Sequence, residues 1–369
     1  MSKNKKFLII NIFGIGDVLF TTPMIRSIKN AYPDAAIGYI CNQRAFPVLE
    51  HHPDINHFHI YERDFFRQVG RLSRRDLIKA YFRFIREIRS QHYDTVFDLS
   101  LSTFMNWVTV LAGIRRRVGY HYKNRSPFLT MSVRLKGYEG KHVVEYYLDL
   151  VARAGIPVSS QRLEVSIPDA DRQWVQRLIK EIDFKSMAYL ICLVPGGGAS
   201  WGKDAGYKRW PPQRWAELAD KMIEELGANV ILLGSEDEIS IGREICAAMK
   251  RQPLDMIGRL NLGQYLAFMT HCQLAVVHDG GPLHMAVAAG VPTVSIFGGV
   301  DEKVYGPYPA TGHAVVTHAV SCRPCYREFR RPPCEHIRCL NEMSVAEVFE
   351  PVQRHVAATK QNPITRMIK

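Results

Sequence analysis

The sequence predicts an α/β protein made of two doubly wound, parallel-sheet domains. Three observations carry that expectation. Short, continuous apolar runs bounded by Gly, Pro, Asn or Asp read as strands buried on both faces. Most of them alternate with stretches of helical periodicity, the pattern of a parallel sheet with crossover helices. The series then runs twice, which suits 369 residues at roughly 100–200 residues per domain.

The strand runs are Phe7–Ile12, Ala36–Ile40, Thr95–Leu99, Tyr189–Val194, Val230–Leu233, Leu274–Val277 and Thr293–Phe297. Thr22 followed by Pro23 forms an N-cap and first-turn pair for a helix through Ala31. Trp215, Leu218, Ala219, Met222 and Leu226 recur at helical spacing over Pro211–Leu226, and Gly227 ends that helix. Ser344–Val356 places Val345, Val348, Phe349, Val352 and Val356 on one helical face. Between the two series lie Gly155-Ile156-Pro157, a short strand near Leu163–Ile167 and a helix near 170–182. The domains are accordingly expected at 1–183 and 184–345. Residues 346–369 form a C-terminal helix and tail expected to pack back on the first domain. Two such sheets side by side would form a cleft at the carboxyl ends of their strands, where ligands bind in doubly wound folds.

Composition narrows the function. Hydrophobic residues make up 47% of the chain, enough for two ordinary cores, and no low-complexity tract or repeat is visible. No apolar run approaches the roughly 18 residues that span a bilayer. Lys3, Lys5 and Lys6 before Phe7–Ile12 imitate a signal peptide, but Gly14, Gly16 and Asp17 interrupt it and no small-x-small site follows. A cytoplasmic protein with reduced cysteines is expected. The net charge of +12 is uneven: residues 1–160 hold 24 Lys and Arg against 13 Asp and Glu, and the remainder 24 against 23. A basic half suits an anionic partner.

Four loops at strand ends carry candidate chemistry. Asn11-Ile12-Phe13-Gly14-Ile15-Gly16-Asp17-Val18 follows the first strand, and Gly14 and Gly16 would let the backbone turn tightly near a ligand. Asp17 would lie at the carboxyl edge as a general base for a sugar hydroxyl, with a helix cap as the alternative role. The loop lacks the third glycine of a dinucleotide fingerprint, so a nicotinamide site is not expected. In the second series, Pro195-Gly196-Gly197-Gly198-Ala199-Ser200 exposes backbone N–H groups suited to phosphate, without the Gly-Lys-Ser/Thr of a P-loop. Lys208, in Lys208-Arg209-Trp210-Pro211, would reach a diphosphate. Glu236 would accept ribose hydroxyls or cap a helix. His278-Asp279-Gly280-Gly281-Pro282-Leu283-His284 opens a helix whose N-terminus favours an anion, with Asp279 on a sugar hydroxyl and His284 one turn in, facing the same cleft.

Taken in order, Gly16-Asp17-Val18 with Thr22-Pro23, Pro195-Gly196-Gly197, Lys208-Arg209-Trp210-Pro211 and Asp279-Gly280-Gly281-Pro282-Leu283-His284 resemble glycosyltransferase family 9, the ADP-heptose:lipopolysaccharide heptosyltransferases, over roughly residues 1–345. The resemblance implies a GT-B fold, two Rossmann-like domains facing a cleft, with the acceptor in the first and the nucleotide sugar in the second. It implies an inverting transfer of heptose from ADP-heptose to the lipopolysaccharide core or a lipid A precursor, with no metal or other cofactor required for catalysis. By position, Asp17 matches the catalytic base and Lys208 the lysine that neutralises the diphosphate. Glu236 matches the ribose-binding acid and Leu260 a residue lining the adenine pocket. Asp279, Gly281 and His284 match the donor-binding turn. Where the family usually has Asp-Thr-Gly, this chain has Asp279-Gly280-Gly281, which removes one hydroxyl contact to phosphate.

The arginine-rich stretch Arg63, Arg67, Arg71, Arg74, Arg75, Lys79, Arg83, Arg86 and Arg89, with Leu72, Phe82 and Ile85 interspersed, reads as a cationic helix face, and Arg115-Arg116-Arg117 adds to it. It would hold an anionic glycan core and an anionic membrane surface, placing the protein peripherally at the inner face of the inner membrane. Cys322-x2-Cys325-x8-Cys334-x4-Cys339 has the look of a four-thiolate knuckle for structural zinc or iron, outside the catalytic loops. The same cysteines also fit packing thiols or disulfides. Three rival functions remain: a transferase that uses another nucleotide sugar or a protein acceptor, a nucleotide-sugar epimerase, and a non-catalytic binder of anionic glycan. The basic first domain speaks against the epimerase, and the donor-side loops against the binder. No nucleic-acid motif appears, so no nucleic-acid partner is expected.

Overall fold

Two parallel six-stranded sheets with the same internal strand order carry the chain. The structure, a computed structural model, describes residues 5–182, 189–197 and 199–361. The first sheet is built from β1 (Lys6–Ile10), β2 (Ala36–Cys41), β3 (His57–Ile60), β4 (Thr95–Asp98), β5 (Arg116–His121) and β6 (Met131–Arg134). Its order is β3-β2-β1-β4-β5-β6. The second is built from β7 (Leu190–Val194), β8 (Asn229–Leu232), β9 (Leu254–Asp255), β10 (Leu274–His278), β11 (Thr293–Phe297) and β12 (His313–Thr317), in the order β12-β11-β10-β7-β8-β9. Counted within its own sheet, each runs third, second, first, fourth, fifth, sixth, the Rossmann order. The order in which successive strands are added reverses between β1 and β4, and again between β7 and β10. Ligands of such sheets bind at the carboxyl side of that switch.

The central strands are buried along almost their whole length, from Leu8–Ile10 in β1 to Leu274–His278 in β10. In the first unit, Leu8, Ile10, Ile40 and Val96 share a core with Phe84 and Ile88. In the second, Trp210 and Trp215 are both fully enclosed among Leu193, Leu232, Val276 and Ile296. Truncating either Trp would cost about 3–5 kcal/mol. The helix Thr22–Ala31 has Pro23 in its first turn, as expected, but its N-cap is Thr21 and Thr22 is already its first residue. The helix Pro212–Leu226 ends on Gly227 at φ 65°, the left-handed conformation that glycine takes without strain.

The units divide at Ser166 and Ile167, earlier than the expected 183. No strand forms near Leu163–Ile167. The segment is tied to the first unit by side chains instead: Arg26 forks onto Glu164 at 3.1 and 2.7 Å, and Glu164 N–H donates to Thr22 Oγ1 at 2.9 Å. The helix Asp169–Glu181, expected in the first domain, belongs to the second unit, where Asn261 Nδ2 donates to Asp171. The terminal helix Val345–Gln361 also needs correcting. Its stripe of Val345, Val348, Phe349, Val352 and Val356 lies in the second unit's core, so its apolar face is used there. No helix among the described residues is long and apolar enough to cross a membrane.

Candidate active site

The predicted donor residues gather at the β7/β10 switch of the second unit. β7 ends at Val194 and the chain turns through Pro195, Gly196 and Gly197. Gly197 holds φ +103°, a glycine conformation, and a Cβ on Gly196 would stand 2.0 Å from the Glu238 carboxyl. The loop is therefore glycine for two reasons, backbone conformation and a carboxylate packed directly behind it. Glu238 accepts N–H bonds from Gly197 at 2.5 Å and Ser235 at 2.8 Å. Sequence reasoning did not single it out. It chose Glu236, which is exposed in the first turn of the short 3-10 helix Glu236–Glu238. Glu236 stays available to a ligand, while Glu238 holds the loop. Gly258 and half-buried Leu260 follow β9 nearby, and Gly258 N–H donates to Gly234 O at 3.1 Å. Gly198 and the Ser200 side chain lie outside the described residues.

His278, the last residue of β10, is a second residue that the sequence reading passed over. Its Nε2 accepts the Trp210 N–H at 2.8 Å, which leaves Nδ1 to donate to the Gly196 carbonyl at 2.8 Å. Burial is the main cause that lowers its pKa to about 4, partly opposed by the bond to Gly196. A neutral imidazole in one tautomer thus straps the glycine loop to the Lys208–Pro211 segment.

Lys208 and Asp279 form the charged centre. Lys208 Nζ lies 2.6 Å from Asp279 Oδ2, and the two side chains are 11% and 6% exposed. The same ammonium lies 4.5 Å from the centre of the Trp201 ring. Gly280 follows at φ +138° and ψ −162°, a region reserved for glycine, and Gly281 heads the helix Gly281–Ala288. A threonine at 280 would be strained in this backbone, which accounts locally for the departure from Asp-Thr-Gly. His284 is buried in that helix rather than set in an open cleft.

The cysteine segment needs correcting. It was expected outside the catalytic loops, yet Cys325, Cys334 and Cys339 line one pocket with Lys208, Asp279 and Arg331. Bonds to two glycine carbonyls explain this: Cys325 N–H donates to Gly299 O at 2.8 Å, and the Arg323 side chain donates through Nε to Gly298 O at 2.6 Å. Arg331 stacks 3.6 Å from the Tyr207 ring centre, placing a second cation in the pocket wall. The four cysteines are free thiols, with Cys322 exposed and Cys339 buried. Burial pushes the Cys339 thiol up to about 11. Among the described residues no group of three or more His, Cys, Asp and Glu stands where it would hold a metal ion, so a structural zinc or iron is not supported.

In the first unit, the loop after β1 is held by Asn11, which is fully buried. Asn11 Nδ2 donates to Asp17 O at 2.9 Å, and Asp17 Oδ2 accepts the Gly14 N–H at 3.0 Å. Asp17 therefore does cap the short helix Ile15–Leu19. Gly14 has an ordinary φ of −76°, so the turn here does not require glycine. Beside it, at the end of β4, Asp98 is a further buried carboxylate that sequence reasoning missed. It takes hydrogen bonds from Ser100 N–H, Ser100 Oγ and Asn106 Nδ2, and burial raises its pKa to about 6.

Two Rossmann sheets, the second with a glycine loop, a lysine and an aspartate at its switch point, define a glycosyltransferase of the GT-B class. The description of glycosyltransferase family 9 (heptosyltransferase) matches residues 81–335. The chain belongs to that family. It is 24% identical over 298 residues to lipopolysaccharide heptosyltransferase 3 of Escherichia coli, covering 79% of this chain and 83% of the relative. It is 26% identical over 315 residues to lipopolysaccharide heptosyltransferase 2 of Escherichia coli K12, covering 79% and 82%. The solved structure of E. coli ADP-heptose lps heptosyltransferase II superposes with a TM-score of 0.75 at 22% identity, covering 96% of this chain and 99% of that one. At that identity the likeness concerns the fold.

Proposed function

We propose that this glycosyltransferase moves heptose from ADP-heptose to the lipopolysaccharide inner core, with inversion and without a catalytic metal ion. The buried Lys208–Asp279 pair beside the His278-strapped glycine loop carries the reading. A lysine there supplies the positive charge that a leaving diphosphate needs. Once the diphosphate takes up that lysine, Asp279 is free to accept a hydrogen bond from a sugar hydroxyl. Exposed Glu236 and half-buried Leu260, in the loops after β8 and β9, would serve the ribose and the adenine. The relatives named as lipopolysaccharide heptosyltransferases support the acceptor class.

In this mechanism the acceptor oxygen bonds to the anomeric carbon while the bond from that carbon to the phosphate oxygen breaks. The acceptor proton passes to Asp17, and the electron pair leaves on ADP. Capping does not exclude this role, because a carboxylate accepts several hydrogen bonds. The arginine-rich first unit is the side offered to anionic acceptor and membrane, at the inner face of the inner membrane.

Calorimetric titration of the whole chain against ADP, UDP, GDP and CMP, followed by transfer to a core glycolipid with and without EDTA, tests the reading. Selective ADP binding, lost in Lys208→Ala, and EDTA-resistant transfer are expected. Selective UDP or GDP binding would replace the donor. Absence of nucleotide binding would favour the anionic-glycan binder.

A further inference from the structure

The arginine-rich stretch of the first unit folds into two helices, Arg63–Leu72 and Arg74–Ser90, separated at Ser73, whose side chain caps the second by accepting the Asp76 N–H. The second helix has two faces of different character. Phe84 and Ile88 point into the core, and Tyr81 stacks on Phe66 at 4.5 Å. On the opposite side Ile78 and Phe82 are 54% and 66% exposed. At 3.6 residues per turn, Arg75, Ile78, Lys79, Phe82, Arg86 and Arg89 fall within an arc of about 100°. All six are exposed. The acids of this helix, Asp76 and Glu87, fall off the arc. Asp76 lies 3.7 Å from Lys79, and Glu87 is engaged by His59.

We infer that this arc docks on an anionic phospholipid bilayer, with Phe82 and Ile78 entering the headgroup layer and the four cations on lipid phosphates. The inference deepens the membrane placement above and rests on it. Two properties select the occupant. An exposed Phe–Ile pair one turn apart needs an apolar phase, which a phosphorylated glycan or a nucleic acid does not offer. The surrounding cations need negative charge, which a second copy of this +12 chain would not bring. An anionic bilayer surface meets both needs.

Vesicle co-sedimentation of the whole chain tests this, using phosphatidylcholine with and without phosphatidylglycerol. Binding is expected to the anionic vesicles only, to weaken as salt rises, and to survive excess soluble glycerophosphate. Ile78→Ser/Phe82→Ser should weaken it roughly tenfold. Arg75→Glu/Arg86→Glu/Arg89→Glu should weaken it about a hundredfold or more, since each cation contributes about fivefold. Both variants alter exposed positions and should keep wild-type ADP binding and thermal unfolding. Vesicle binding that both variants leave unchanged overturns the inference. So does displacement by glycerophosphate, or a dimer in sedimentation that Ile78→Ser/Phe82→Ser dissociates. Wild-type chain that ignores vesicles yet transfers heptose to a detergent-free acceptor fragment overturns the docking and leaves the transferase reading intact. Vesicle binding without any ADP binding does the reverse.

Discussion

The carboxyl edges of the two sheets share one strand order and differ in how their polar groups are wired. In the second unit, a neutral histidine, a buried carboxylate and a lysine–aspartate pair lock three separate segments together. In the first unit, the corresponding loop is held by Asn11 and Asp17 from within and by Asn42, whose Nδ2 donates to the Ile12 and Phe13 carbonyls. A Rossmann sheet therefore fixes where a site lies and leaves its rigidity to side chains. A locked edge suits a ligand recognised by shape and charge, and a carboxylate oriented by a neutral N–H group suits a proton acceptor.

The strongest test of that contrast is Asp17→Ala. As a base it should cost about 10²–10⁴-fold in turnover, while ADP affinity is unchanged and stability falls by only ~1 kcal/mol for the lost cap. Turnover within a few-fold of wild type would reduce Asp17 to a cap. Next is Lys208→Ala, which leaves Asp279 buried without its ion-pair partner. Stability should fall by about 3–5 kcal/mol together with ADP affinity. Lys208→Met/Asp279→Asn should recover most of the stability in denaturant titration and none of the affinity.

His278→Asn should follow, at about 1–3 kcal/mol for each strap bond lost, seen as a lowered melting temperature and a raised KM for the donor. The pH dependence gives an independent check. The folded pKa of about 4 lies below the ordinary value of 6.5. The unfolded chain takes up the proton first, so the contribution is fully present above pH 6.5. It is lost as pH falls towards 4, amounting to about 3 kcal/mol. That acid loss should vanish in the variant, and its persistence there would assign it to other groups. The smallest pair of effects separates two neighbours. Glu238→Gln weakens the amide bonds behind the glycine loop by about 1.5–3 kcal/mol. Exposed Glu236→Gln should stay within ~0.5 kcal/mol in stability and show itself only in nucleotide affinity.

The sequence revealed the centre of each sheet better than its margins. β1, β4, β7 and β10 are continuous apolar runs because both faces are covered. β5 begins Arg116-Arg117 and β3 reads His57-Phe58-His59-Ile60, edge or near-edge strands whose polar residues hide them. The boundary was misplaced because the segment before Ser166 is held by Arg26 and Ser27 from far upstream, through bonds that no local pattern encodes. Lys208 and Asp279 stood out in the sequence because each sits in a short motif, Asp279 directly after β10 and Lys208 at the end of the segment after β7, while their pairing is read from the structure alone. His278 and Glu238 did not, since their partners are backbone groups 82 and 41 residues away. The cysteine spacing was misleading for a related reason. Spacing reports which residues can meet, and here the loop's backbone bonds to Gly299 deliver thiols to a pocket wall.

The Lys208–Asp279 pair has a consequence for timing. Asp279 is an internal competitor for the lysine, present before any ligand arrives. In the proposed mechanism a nucleotide sugar would displace it with diphosphate and would also give it hydroxyls to bind. After transfer the sugar is gone and the aspartate loses that second occupation, so it would compete again for the ammonium and help expel the spent nucleotide. The same residue would then favour the loaded donor over the emptied one, a bias towards turnover built into an ion pair.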